Sequence, residues 1–398
     1  MKKSHIPLIL LTAAIAIALV VGAVLISRLH VPAKGTDSGS ASAEILDALV
    51  ATEMVLTETV LRTSEPAPLP EMTPTDLPTA ATIDPYTYFR SQTDPDRFMA
   101  WVRALSGAEP IQVNGVETRI ETRYSYAMFT GQANAPAKAY LLEQIRQWIP
   151  ENQLAVEEYP YTDATSSYTW KNIVVTFPGT VHPEEQVLFT AHFDSIVVFE
   201  GDPLTYAPGA NDNGTGLATI LEAIRIFKDM QFEKTVKIVL FSGEENFQEG
   251  SKAYVAAHAG DNIIAVVNMD MYGTDKDNDR CFELYVGPLP GSRQLSELFM
   301  QTVAEFSLNL KADQLVDNAY AKADHKPFWD AGIPAVTAME NFLTDYTPGG
   351  CETGMDRTDC WHLPCDTHEK INVPYAFDIG LAGTYTVMKL AIVQPIKQ

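Results

Sequence analysis

The stretch Val187–Gly216, VLFTAHFDSIVVFEGDPLTYAPGANDNGTG, decides how the rest of the chain is read. Its first five residues, Val187–Ala191, are nearly all apolar, as expected of a strand buried on both faces of an α/β sheet. The apolar run stops at His192, and Asp194 follows two residues on. A turn-rich segment, Pro-Gly-Ala-Asn-Asp-Asn-Gly, then carries Asp212 into a helical pattern over Gly216–Lys228. Ligands of open α/β sheets bind beyond the carboxyl ends of the strands, where this reading puts both His192 and Asp212.

Working outward, strand and helix patterns alternate. Expected helices cover Pro95–Leu105 and Ala137–Trp148, followed by strands Leu154–Tyr159 and Thr169–Phe177. After the central stretch come strand Val236–Phe241, helix Ser251–His258, strand Ile263–Asp270 and strand Phe282–Val286. Helices Ser292–Phe306 and His325–Ala331, strand Pro334–Met339 and helix Pro374–Val393 complete the pattern. Such alternation predicts an α/β fold with a twisted, mixed but mostly parallel sheet between helices.

The amino-terminal part reads differently. Lys2 and Lys3 precede Ile6–Ile26, an apolar run without a charge. Spanning a bilayer takes about 20 such residues, whereas a cleaved signal has an apolar region of about 7–15. We therefore expect residues 1–30 to hold a signal-anchor helix that places the rest outside the cytoplasm. Cleavage near Ser40–Ala43, which would release the chain, is the alternative. Residues 31–93 are Ser/Gly-rich and then Pro/Thr-rich, and are read as stalk and linker. The globular domain is expected over 94–398. The net charge of −23, with no basic block, argues against a nucleic-acid partner.

Metal-capable side chains recur where strands end: His192, then Glu244 and Glu245 in KIVLFSGEEN, then Asp270 in IIAVVNMDMYG. Asp212 and His362 add loop donors, and Asp366 follows His362 by four residues. Mixed imidazole and carboxylate donors suit zinc. Two zinc ions about 3.5–4 Å apart polarise a carbonyl and generate a nucleophile from water.

Six ordered motifs carry a family resemblance: AHFDS at 191, APGANDNGTG at 207, SGEENFQEGS at 242, VNMDMYG at 267, YAKADHKPFWDAGIP at 320 and WHLPCDT at 361. From about Arg123 to Leu390 the chain resembles the secreted di-zinc aminopeptidases, whose superfamily includes glutamate carboxypeptidases and glutaminyl cyclases. The resemblance implies a sheet of about eight strands, two zinc ions per chain, a peptide substrate and removal of amino-terminal residues. It implies that His192 and Asp270 hold one zinc, that Glu245 and His362 hold the other, and that Asp212 bridges both. It assigns Glu244 as general base, Asp194 as the carboxylate orienting His192, and Asp366 as the same for His362. It suggests Tyr320 as the oxyanion donor, with an ordinary core tyrosine as the alternative. An apolar pocket for the first residue would draw on Met271, Met339, Leu343 and Tyr346; the alternative is that these are ordinary core residues, with Phe342 rather than Leu343 turned inward. The competing functions are a glutaminyl cyclase with one zinc and an inactive receptor-like ectodomain. Oligomeric state is not legible.

The extra segment PGGCETGMDRTDCW leads us to expect a Cys351–Cys360 disulfide, with Cys281–Cys365 as a second pairing. Spacing also allows a small zinc site built from Cys351, Cys360, His362 and Cys365.

Overall fold

The computed structural model describes residues 82–125, 133–162, 167–316, 322–343, 350–351 and 355–397. In chain order, β1 (Thr82–Ile83) leads into α1 (Pro85–Gln92) and α2 (Pro95–Leu105), then the hairpin of β2 (Ile111–Val113) and β3 (Val116–Thr118), and α3 (Ala135–Arg146). Next come β4 (Leu154–Thr162), β5 (Ser167–Phe177), β6 (His182–His192), α4 (Gly214–Phe227), β7 (Lys234–Phe241), α5 (Glu249–Ala257) and β8 (Ile263–Met269). The chain closes with β9 (Cys281–Tyr285), α6 (Pro290–Glu305), β10 (Lys311–Leu315), α7 (His325–Asp330), β11 (Ala335–Glu340), α8 (Val373–Leu390) and β12 (Ile396–Lys397).

Eight strands form one mixed sheet in the order β10-β9-β11-β8-β6-β7-β5-β4. Its centre, β11-β8-β6-β7, is parallel throughout. Strands β5 and β4 add antiparallel on one side, and β9 is antiparallel to β11 on the other. Alternate residues of the central strands serve opposite faces, as the two-residue period of a pleated strand requires. Val187, Phe189 and Ala191 join the larger core with Val236, Ile238 and Leu240, beneath α2, α4 and α8. Leu188, Val239 and Phe241 face the other way, toward Tyr254 of α5 and Phe328 of α7.

The central α4 is buried almost all round, which its run of Leu, Ala and Ile allows. It packs close to α8: a Cβ on Gly380 would meet Thr219 Oγ1 at 2.3 Å, so only glycine admits that approach. Because β6, β7 and β8 are parallel neighbours, their carboxyl ends open on one edge of the sheet. There the side chains flagged by the sequence converge.

The fold starts earlier than the expected boundary at Asp94. Asp84 caps α1 through its side chain, which accepts from the Thr87 amide at 2.7 Å, and Pro85 opens the helix. Phe89 is 1% exposed and packs against Phe227 and Tyr385. Strand β1 pairs with β12. Strand β10 and the β2–β3 hairpin were not expected; KADQL of β10 is too polar to read as a strand, yet Ala312 and Leu315 are buried.

Among the described residues no helix is long and apolar enough to cross a membrane. The expected anchor over Ile6–Ile26 lies outside them.

The disulfide pairing differs from expectation. Cys281 pairs with Cys351, and Cys360 with Cys365. Cys281 opens β9 beside the segment whose Cys351 amide is held by Asp313 of neighbouring β10 (3.0 Å). The turn at Cys360 returns the chain to Cys365, with the Leu363 amide donating to the Cys360 carbonyl. With all four sulfurs paired, the alternative cysteine zinc site does not form.

Candidate active site

Each site residue owes its position to a strand end or to a tied loop. His192 ends β6, and Asp270 directly follows β8. Glu244 and Glu245 follow β7 after Ser242-Gly243, where a Cβ on Gly243 would strike the Trp170 ring at 2.5 Å. Asp212 sits in the turn before α4; the Asp212–Asn213 peptide is cis. Asn213 caps α4 by accepting from the Gly216 amide (3.0 Å) and donates to the Met269 carbonyl (2.9 Å), which ties the Asp212 turn to the end of β8. Gly209 (φ +51°) opens that turn, and a Cβ there would meet the Asp212 carbonyl at 2.3 Å.

The five donors expected to ligate metal come together as two pairs sharing Asp212. His192 Nε2 lies 3.2 Å from Asp270 Oδ1 and 3.3 Å from Asp212 Oδ1. His362 Nε2 lies 3.0 Å from Glu245 Oε2 and 3.4 Å from Asp212 Oδ2. One carboxylate thus presents one oxygen to each pair. Tetrahedral zinc with bonds of about 2.0–2.1 Å sets its ligand atoms about 3.3–3.4 Å apart, close to these separations. Glu245 Oε1 is buried without a hydrogen-bond partner, a position that a cation would satisfy. The residues present therefore fit zinc.

Electrostatics point the same way. Burial lowers the affinity of His362 for protons, but Glu245 and Asp212 more than reverse this and raise its pKa to about 11. His192 is likewise raised despite burial, chiefly by Asp270. Burial lifts Glu245 to about 7 and Glu244 well above its ordinary value. So many carboxylates in a dry pocket demand positive charge, from protons or from metal.

Other expected residues act through different contacts. The backbone carbonyl of Asp194 accepts a hydrogen bond from His192 Nδ1 (3.1 Å), while its carboxylate stands 3.5 Å from that nitrogen. The carboxylate instead accepts from the amides of Glu244 (3.2 Å) and Glu245 (3.4 Å) and from Ser125 Oγ (3.2 Å). It pins the turn that carries both glutamates. Asp366 does not orient His362. Its oxygens accept from the amides of Asn211 (2.9 Å) and Asp212 (3.0 Å), so it fixes the shared carboxylate instead. His362 is held by stacking on Trp361, at 4.1 Å between ring centres. Tyr320 lies outside the described residues.

Two buried groups carried no signal in the sequence. Arg123 is fully buried and donates to the carbonyls of Phe193, Leu105, Pro208 and Gly209 at 2.7–2.9 Å, caging the Asp212 turn from below. Burial lowers its pKa to about 10. Glu340, at the end of β11, accepts from Asn211 Nδ2 (2.7 Å) and from the amides of Thr274 and Thr358.

The site opens into a cavity of about 210 Å³. Asp212, Glu244, Glu245, Asp270 and His362 line its floor, and Met271, Met339 and Phe342 supply apolar wall. Phe342, rather than Leu343, is the lining residue; the Leu343 amide is turned to Glu283 Oε1 (2.7 Å). Tyr346 lies outside the described residues. Lys322 also lines the cavity, so the wall is not wholly uncharged.

Comparison with known proteins adds the lineage. Residues 172–382, more than half of the chain, match peptidase family M28. The chain is 30% identical to aminopeptidase YwaD of Bacillus subtilis over 235 residues, which is 57% of this chain and 46% of that protein. It thus spans about half the length of that relative. Leucine aminopeptidase 1 of Phaeosphaeria nodorum is 27% identical over 285 residues, 67% of this chain and 68% of the relative. Among solved structures, the LapA aminopeptidase of Legionella pneumophila superposes with a TM-score of 0.55 at 17% identity, covering 77% of this chain and 74% of that one. The glutaminyl cyclase of Porphyromonas gingivalis gives 0.54 at 19% identity, covering 75% and 98%. At such identities the two structures speak for the fold alone. The matched span runs from β5 into α8 and takes in every group gathered at the strand ends: the chain belongs to peptidase family M28.

Proposed function

We propose that this protein is a zinc-dependent aminopeptidase that removes amino-terminal, preferentially apolar residues from peptides. The observation that carries the reading is the sharing of Asp212 between the His192–Asp270 and His362–Glu245 pairs, one oxygen to each. His192 and Asp270 would hold one zinc, Glu245 and His362 a second, and Asp212 both. When bound, the metal supplies Lewis acidity that polarises the scissile carbonyl and acidifies water.

The chain's own groups do the rest. Glu244, buried beside the donors, accepts a proton from the attacking water on its carboxylate and returns it to the leaving amine. Gln248 Nε2 donates to Glu244 Oε1 (3.1 Å) and orients it. Asp194 holds the His192 ring and the Glu244–Glu245 turn together. Tyr320 would be the oxyanion donor, as the family resemblance implies. Met271, Met339 and Phe342 receive the first side chain, and Lys322 disfavours a cationic one.

A glutaminyl cyclase would need one metal, whereas the donors here are paired for two. The names of the curated relatives support aminopeptidase action. The test is a panel of zinc-loaded reactions on Leu-, Phe-, Lys- and N-acetyl-Leu-amides. Fast release from Leu and Phe, slow from Lys and none from the acetylated substrate is expected; preference for the acetylated form would overturn the reading.

The two disulfides also support placement outside the cytoplasm, by way of an anchor over Ile6–Ile26. Cell fractionation that recovered the chain from the cytoplasm would contradict this.

A further inference from the structure

Among the described residues only two phenylalanines are exposed, Phe247 at 78% and Phe199 at 56%, and Phe247 lines the active-site cavity. A single exposed apolar residue calls for no explanation, but Phe247 combines exposure with strain. Its φ is +67° and that of Gln248 is +59°, a region that bulky side chains rarely enter. Nor is the loop free to relax. The Glu244 and Glu245 amides are tied to Asp194, the Gln248 amide donates to the Glu244 carbonyl (2.9 Å), and the Glu249 amide to that of Gly243 (3.0 Å). A strained aromatic held outward by a pinned loop at an active site points to use by substrate.

Its position says which part of the substrate. Phe247 lines the same cavity as Glu244, and the next residue, Gln248, hydrogen-bonds the Glu244 carboxylate. Glu244 hands its proton to the leaving amine, so the flank beside it faces the leaving half of the peptide. Met271, Met339 and Phe342 line the same cavity and are the side chains assigned above to the first residue. The exposed Val198 and Phe199 donate their amides to the His362 carbonyl (3.0 and 3.4 Å).

We propose that Phe247 grips the side chain of the residue immediately downstream of the scissile bond, so that peptides with an apolar second residue are preferred. This rests on the aminopeptidase reading above and names the substrate class of that site.

The experiment measures kcat/KM of the zinc-loaded full chain on Leu-Phe-Gly, Leu-Gly-Gly and Leu-amide, which has no second residue. The wild-type chain should prefer Leu-Phe-Gly to Leu-Gly-Gly. In Phe247→Ala, the ratio of Leu-Phe-Gly to Leu-amide should fall about tenfold, equivalent to about 1.4 kcal/mol, mainly through KM. Phe247→Leu should keep most of the ratio, and Val116→Ala, on an exposed residue of the distant hairpin, all of it. Phe247→Gly should lose the ratio yet melt no lower than wild type, since glycine accepts the positive φ. Equal losses on all three substrates, or an unchanged ratio, would overturn the inference. A wild-type chain that cleaved none of the three would instead refute the aminopeptidase reading, and this inference with it.

Discussion

Asp366→Asn separates the role the structure gives this residue from the one the family resemblance implies. The carboxylate accepts from two buried amides, those of Asn211 (2.9 Å) and Asp212 (3.0 Å). An asparagine of the same shape has one oxygen and one NH₂ group, so one of the two amides loses its acceptor and meets a donor instead. Stranding a buried donor costs about 1–3 kcal/mol. The turn relieves it by moving the Asp212 carboxylate off its position. Loss of such outer support typically weakens metal binding about 10–100-fold. On the proposed two-zinc reading both affinities should fall together, because Asp212 faces both histidines. Titration against a chromophoric chelator resolves the two binding steps, and a thermal melt checks that the variant is folded. Affinities within twofold of wild type would refute the reasoning. So would weakening of one site alone, which is the signature of support passing through His362.

Glu244→Gln should cut kcat by about 10²–10⁴-fold while zinc content stays at the wild-type level; it should melt no lower, because burial already opposes charge at this position. Retained turnover would remove Glu244 as the base. Phe89→Ala should cost about 3–5 kcal/mol in denaturant unfolding, since the ring is buried against Phe227 and Tyr385. A chain begun at Asp94 should be similarly weakened and one begun at Pro78 should not; an equally stable shorter chain would show that α1 is dispensable. His258 is raised above 6.5 by its hydrogen bond to Glu157 (3.1 Å), helped by Asp261 (3.0 Å). A raised histidine stabilises fully below its unfolded pKa and loses this as pH rises through the folded one. The difference in melting temperature between wild type and His258→Gln should therefore be largest below about pH 6.5 and shrink as pH rises above it; a constant difference up to pH 9 would contradict the pairing.

The parts of the site legible in the sequence are those set by strand ends. His192, Asp270 and the Glu244–Glu245 pair follow apolar runs that could only be central strands, and parallel neighbours must open on one edge. Asp212 and His362 sit in loops, and only their motifs marked them. What escaped depends on backbone partners. Asp366, the Asp194 carboxylate and Arg123 all bind main-chain groups, and any residue can supply an amide or a carbonyl. Four cysteines allow three pairings, and spacing alone does not choose between them. Phe342 and Leu343 differ by one position, and only the local twist of the chain decides which faces the cavity. The Asp84-Pro85 start of α1 was a readable cap, overshadowed by the proline-rich segment before it.

The central claim is that two metal ions share Asp212, and counting metal tests it most directly. Mass spectrometry of the purified chain, loaded with excess zinc and then desalted, should find two zinc per chain in the wild type and fewer than two in Asp212→Ala. One zinc per wild-type chain, or an unchanged count in the variant, would contradict the account.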